Sequence, residues 1–226
     1  MDAHVHTGFA AGRDSVGVIV SAADRVGLTS VTFADQVGPD TTWLPAYADA
    51  IRRARGRTET VLRVGAEVEV VRPDGWLAWP ADLAHLEAVS VAVSRLPSAA
   101  GLLGPGEVRS RLSTGELTAA QVADMVMTAT VQGLEHASRY VPAQLARPLN
   151  LLTQAGIGDD ILTDELLRRL IDACASTGAV VEISEAWRSP SIQLMTRLRE
   201  AGVPLIAASD ARYAAEVGQW QYLRRV

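Results

Sequence analysis

Runs of β-branched and small apolar residues alternate with amphipathic helical stretches along nearly the whole chain, and no other feature of the sequence restricts the fold as much. Leu28 to Ala34, Thr60 to Val71, Ala88 to Ser94, Ala179 to Ser184 and Pro204 to Ser209 have strand character. Between them, Asp14 to Val26, Leu44 to Arg57, Thr118 to Glu135, Asp159 to Thr177 and Pro190 to Ala201 carry apolar residues at helical spacing. Gly27, Gly178 and Gly202 stand where C-terminal caps belong, and Thr118 where an N-cap belongs. A weaker strand signal spans Val141 to Leu145, and a final helix is expected from Ala214 to the end. Alternation of this kind implies a parallel sheet with right-handed crossovers, and about seven units suggest a closed α/β barrel.

At 226 residues the chain is long enough for one large core, so a single domain over 1–226 is expected. Val61 to Val70 carries acidic residues inside a strand, Pro73-Asp74-Gly75 reads as a turn, and Trp76 to Trp79 reads as its returning partner. Ser98 to Gly106, rich in Gly, Pro and small residues, reads as a loop.

A net charge of −5 with scattered arginines leaves no basic block for nucleic acid. The lone cysteine, Cys174, lies in an apolar helical stretch and reads as core in a reducing compartment. No apolar run reaches membrane-spanning length, and chemistry-bearing residues begin at position 2, so a cytoplasmic protein without a membrane partner is expected. The oligomeric state stays open.

The chemistry centres on Asp2-Ala3-His4-Val5-His6-Thr7. Histidines at i and i+2 project from the same face of a strand, so both imidazoles can reach one ion. In α/β barrels the strand C-termini build the active face. His4, His6, Gln36, Glu67, Arg95, Arg147, Glu182, Asp210 and Arg212 all lie on strands or just past their ends. His85 and His136 sit in helical contexts and read as solvated or partly buried residues. Among the tryptophans, Trp76 and Trp79 beside the turn are candidates to wall a substrate pocket.

Taken together, these segments resemble the PHP (polymerase and histidinol phosphatase) superfamily across nearly the whole chain. The opening Asp-x-His-x-His-Thr is similar to its most specific signature. Thr32-Phe33-Ala34-Asp35-Gln36 resembles its second motif, Gly65-Ala66-Glu67 the segment with a bridging glutamate, and Ser209-Asp210-Ala211-Arg212 its closing motif. Val93-Ser94-Arg95 and Leu145-Ala146-Arg147-Pro148 resemble two segments that ordinarily carry histidines. The resemblance implies a distorted (β/α)7 TIM-like barrel, a cluster of up to three divalent ions and phosphate-ester hydrolysis.

This chain departs from that pattern, with Gln36, Arg95, Arg147 and Arg212 where the family keeps histidines, and no loop histidine around Gly12. His4, His6, Glu67 and Asp210 match the ligands of one ion, which implies a single Zn²⁺, Mn²⁺ or Fe²⁺. A guanidinium has no lone pair to offer a metal and repels it, so the three arginines exclude further ions and supply positive charge themselves. The expectation is a metal-dependent hydrolase of a small phosphate- or carboxylate-bearing substrate held by Arg95, Arg147, Arg212 and Gln36. Asp210, Asp35 and Glu182 are the catalytic candidates. Asp35 and Glu182 read as orienting groups or a general base, with ion pairing to the arginines as the alternative. A lyase, a deaminase, an amidohydrolase-type enzyme or an inactive binding barrel are the other outcomes this scaffold permits.

Overall fold

The computed structural model describes residues 1–225. In chain order the elements are β1 (Asp2–Val5), α1 (Val16–Arg25), β2 (Ser30–Val37), α2 (Leu44–Arg55), β3 (Val61–Glu69), β4 (Ala88–Ala92), β5 (Leu96–Ser98) and β6 (Gly101–Leu103). There follow α3 (Pro105–Ser113), α4 (Ala119–Ala137), β7 (Ala143–Leu145), α5 (Asn150–Gln154), α6 (Asp164–Thr177), β8 (Val180–Ser184), α7 (Ile192–Glu200) and β9 (Leu205–Ala208). Seven strands pair in parallel in the order β1-β2-β3-β4-β7-β8-β9. The segment after β9 closes the ring on β1: Val5 and Ala211 form a parallel bridge, His6 N donates to Ala211 O at 2.9 Å, and Asp210 N donates to His4 O at 2.9 Å. Asp2 reinforces the seam by accepting from the Ser209 backbone N–H at 2.8 Å. The result is the closed α/β barrel that the alternation suggests, in the distorted TIM-like (β/α)7 form that the resemblance implies.

Local chemistry accounts for most boundaries. Ser15 caps α1, Thr118 and Gln121 form a capping box on α4, and Thr163 caps α6, whose first turn carries Asp164 and Glu165 against the helix dipole. Gly178 ends α6 in a left-handed conformation at φ 69°.

Two apolar layers clothe the barrel. On one side Ile19, Val20, Tyr47 and Ile51 of α1 and α2 pack on Val31, Phe33 and Val64. On the other, Val126, Met127, Leu134, Leu170 and Cys174 of α4 and α6 pack on Val68, Val91, Leu145 and Val181. Each fully buried Leu, Ile or Phe in these layers contributes about 1.5–3 kcal/mol.

The barrel interior is polar. Parallel register aligns Gln36 with Glu67, Glu67 with Ser90 and Ser90 with Gln144, so one layer of polar side chains crosses four strands. Gln144 Nε2 ties that layer together, lying 2.7 Å from Ala3 O, 2.8 Å from Ser90 Oγ and 2.7 Å from Glu182 Oε1. A polar interior explains why apolar periodicity alone truncates the strands. β2 runs on through Asp35 and Gln36 to Val37, beyond the expected stop at Ala34, because its ladder with β3 continues to Val37 and Val68.

Three other expectations change. The stretch 98–106 is no plain loop: it contributes to the antiparallel β5/β6 pair and opens α3 at Pro105, with Leu96 and Leu103 buried beside α4. Residues 159–161 form a separate 3₁₀ turn, since the Thr163 cap starts α6 afresh. The final helix is replaced by two 3₁₀ turns, Ala214–Glu216 and Leu223–Arg225. Carboxylates hold that tail in place of a helical ladder: Glu185 accepts from the N–H groups of Gln221, Tyr222 and Leu223, and Asp2 from that of Gly218. Among the described residues no helix is long and apolar enough to cross a membrane.

Candidate metal centre

His4, His6, Glu67 and Asp210 are all buried, and one ligand atom from each lies within 4.8 Å of the others. β1 and the residue after it supply the histidines, β3 the glutamate, and the turn after β9 the aspartate. Asp210 reaches inward from a left-handed backbone, φ 55°, a conformation uncommon for residues with a side chain and concentrated at functional positions.

A carboxylate stands behind each histidine, hydrogen-bonded to His4 and 3.7 Å from His6, whose buried Nδ1 has no hydrogen-bond partner. His4 Nδ1 lies 3.0 and 3.1 Å from the two oxygens of Glu182, which only accept, so in the neutral ring that binds a metal the proton sits on Nδ1 and the lone pair on Nε2. That Nε2 is buried, has no hydrogen-bond partner, and faces Glu67 Oε2 at 3.1 Å. His6 Nε2 lies 3.1 Å from Asp210 Oδ1, and its Nδ1 is 3.7 Å from Asp35. Asp35 is itself fixed by Thr7, whose backbone N–H donates to Oδ1 at 2.8 Å and whose hydroxyl donates to Oδ2. Among the described residues neither Asp35 nor Glu182 pairs with an arginine; both stand behind the ligand rings. Position 12 of the first loop has no room for a side chain, since a Cβ there would lie 2.6 Å from His6 O.

Arg147 is the fifth member of the cluster. Its Nη1 donates to Glu67 Oε2 at 2.8 Å and Asp210 Oδ2 at 2.9 Å, and its Nη2 donates to Glu67 Oε1. Its backbone is also left-handed, φ 45°, which turns the guanidinium into the barrel from the end of β7. Gln36 Nε2 donates to Glu67 Oε1 at 3.1 Å, and the Trp187 indole N–H donates to Asp210 Oδ2 at 2.9 Å. Trp187 also lies under the Arg147 guanidinium, 5.7 Å from ring centroid to Cζ. Asp210 Oδ2 thus serves the outer donors while Oδ1 faces His6; Glu67 Oε1 serves outer donors while Oε2, shared with Arg147, faces both histidines.

The electrostatics ask for a cation. Four buried carboxylates, Asp35, Glu67, Glu182 and Asp210, face one buried guanidinium and two rings. Burial works to raise the pKa of Asp210, yet its bond to His6 and the charges of His4 and Arg147 hold it at about 2. Glu67 is held well below the usual carboxylate range against the same burial penalty, chiefly by Arg147 and His4. Burial pulls His4 and His6 down, but Glu182 and Glu67 hold His4 well above its ordinary value, and Asp210 and Asp35 raise His6. An unpartnered imidazole nitrogen opposite two carboxylate oxygens suits a divalent metal, and two N and two O donors suit zinc, manganese or iron.

Raised histidine pKa values stabilise the metal-free fold below pH 6.5, and that contribution is lost as pH rises through the folded values. A divalent ion competes for the same lone pairs, so it should remove this dependence. Melting temperatures followed upward from pH 6.5 should fall in chelator and hold level with metal. A flat profile in chelator would show that the rings are not protonated in the folded state.

The other sequence candidates are placed unequally. Arg212 is exposed at the rim, where it lines a cavity of about 240 Å³ together with Gln36, Ser94, Arg147 and Trp187. A second cavity of about 580 Å³, lined by Trp187, Arg188, Asp210, Arg212 and Tyr213, adjoins it. Arg95 lines neither. Glu69 accepts from the Ser94 and Arg95 backbone N–H groups at 2.9 and 3.0 Å, and the Arg95 side chain lies 51% exposed, 4.0 Å from the same carboxylate. Trp76 and Trp79 pack beside His136 and Tyr140, away from both cavities. Trp187 is the aromatic wall that sequence reasoning passed over; its signal was its place just beyond the strand that carries Glu182.

No protein-family model and no curated protein matches this sequence. Among solved structures, the chain superposes on a Listeria monocytogenes protein assigned as the histidinol phosphatase HisK, with a TM-score of 0.73 at 12% identity, over 96% of this chain and 97% of that one. It also superposes on histidinol phosphate phosphatase HisK of Lactococcus lactis, crystallised with zinc, L-histidinol and phosphate, with a TM-score of 0.65 at 16% identity, over 98% of this chain and 88% of that one. At these identities the likeness is one of fold, and the fold it shares is that of PHP-type phosphatases.

Proposed function

We propose that this protein is a metal-dependent hydrolase of PHP type, a divergent member with one divalent ion, acting on a small substrate that bears a phosphate or carboxylate. The observation that carries the reading is the buried His4, His6, Glu67 and Asp210 set, with an unpartnered His4 Nε2 aimed into it. When bound, the ion supplies Lewis acidity that polarises a substrate oxygen and makes water more acidic.

The chain's own residues divide the remaining work. Glu182 fixes the His4 tautomer and Asp35 positions His6. Arg147 takes the place of further ions: it neutralises Glu67 and Asp210 and turns its outer edge to the cavity. Gln36, Arg147 and Arg212 then orient the substrate anion by directional hydrogen bonds, while Trp187 shields the centre from water. The adjoining cavity along Arg188 and Tyr213 receives the rest of the substrate. Asp210, which would ligate the ion, also borders that cavity, so it is the catalytic candidate that faces both metal and substrate.

A second reading draws on the same Arg147 contacts. A guanidinium already bonded to both carboxylates can serve as the permanent cation of a binding barrel without metal or catalysis. Elemental analysis of protein purified without chelator separates the two. One ion per chain and hydrolysis of a simple aryl phosphate ester are expected. Two or three ions would sink the mononuclear site, and anion binding with no metal would favour the second reading.

A further inference from the structure

A groove of about 620 Å³ lies on the outside of the barrel between α1, α2 and the loop that follows His6, and shares no lining residue with the two cavities at the mouth. Val20 of α1 and Ala54 of α2 form part of its apolar floor, and Arg13, Arg53 and Arg57 stand around it. The neighbouring arginines of α2 are committed: Arg52 pairs with Asp49 at 3.7 Å and Arg55 with Glu87 at 2.5 Å. Among the described residues, the side chains of Arg13, Arg53 and Arg57 have no such partner. Asp24 is the acidic residue of the lining; the hydroxyls of Thr58 and Thr60 both donate to its Oδ1, at 2.5 and 2.8 Å, and the three arginines outnumber its single charge. Three free guanidinium groups over an apolar floor, in a chain of net charge −5, describe a receptor for an anion with an apolar body.

The upper wall of the groove belongs to the loop that follows His6. Phe9 lines the groove, and its N–H donates to Thr7 Oγ1 at 3.2 Å; Thr7 in turn holds Asp35, the carboxylate behind His6. Arg13 N donates to Arg212 O at 2.8 Å, which ties the same loop to the rim of the mouth.

We infer that this groove is a second site, an effector site for a small polyanion with an apolar core, and that its occupant orders the His6 loop. The effect on turnover rests on the hydrolase reading, whereas binding and loop ordering do not. Removing one charge-assisted hydrogen bond between a guanidinium and the anion weakens binding about tenfold.

The test uses the full chain and 1,3,6,8-pyrenetetrasulfonate, a fluorescent planar polyanion, followed by anisotropy. Saturable binding of one equivalent is expected, weakened about tenfold or more in the double variant Arg53→Gln, Arg57→Gln and unchanged in Arg212→Gln. Both substituted positions, Arg53 on α2 and Arg57 just beyond its end, are exposed, so the fold should persist, and a melting curve checks it. Hydrogen exchange should slow in the peptide spanning residues 7–15 when the dye is bound. Absence of saturable binding, or binding lost in Arg212→Gln and kept in the double variant, overturns the site. Binding without slower exchange overturns its link to the His6 loop. Loss of phosphate-ester hydrolysis as the main reading would leave these two readouts standing.

Discussion

Arg147→Met is expected to destabilise the metal-free protein by about 3–5 kcal/mol, the cost of stranding buried carboxylates without their partner. Arg147 is 8% exposed and bonds Glu67 and Asp210 together, so its removal leaves two negative charges in a site where Asp35 and Glu182 already add two more. Methionine fills a similar volume and meets the same left-handed backbone as arginine, which confines the change to charge and hydrogen bonding. The deficit should be recovered by divalent ions, since a ligand at about 1,000 times its dissociation constant stabilises a fold by about 4.1 kcal/mol. Metal affinity should also rise above that of the parent, because the repulsive cation next to the ligand oxygens is gone. Denaturant unfolding in chelator and in zinc measures both effects. A variant as stable as the parent in chelator would show that the carboxylates are compensated without Arg147.

Asp210→Asn should lower divalent-metal affinity at least about 100-fold while the metal-free fold survives. The substitution removes an anionic ligand with little change of shape, and asparagine tolerates the left-handed conformation at φ 55° as readily as aspartate. Its amide oxygen can still accept from Trp187 and Arg147, which keeps the outer side of the turn satisfied. The amide then turns a nitrogen toward His6, where a ligand oxygen stood. Calorimetric zinc titration paired with a melting curve in chelator reads the two halves separately. Undiminished zinc affinity would remove Asp210 from the ligand set.

Both results depend on features that differ in how legible they were. Local periodicity determined the alternation of strands and helices, the N-cap at Thr118, the C-terminal cap at Gly178, and the shared face of His4 and His6, because each depends on neighbours within a few residues. The barrel follows from that alternation. The ends of β2 and of the chain were misjudged where polar residues serve the interior or pin a tail, for there polarity no longer marks exposure.

Tertiary structure alone decided the partners. Glu182 reaches His4 across 178 positions, and Gln144, silent in the sequence, joins them. Arg95 and Arg147 are the same residue type near the ends of neighbouring barrel strands, yet one points outward and the other into the centre. The difference lies in the backbone: Glu69 holds the turn at Arg95 by two N–H bonds, whereas a left-handed residue at the end of β7 swings Arg147 inward. A strand pattern records which face a residue occupies while the strand lasts; past its end the direction is set by contacts from distant parts of the chain.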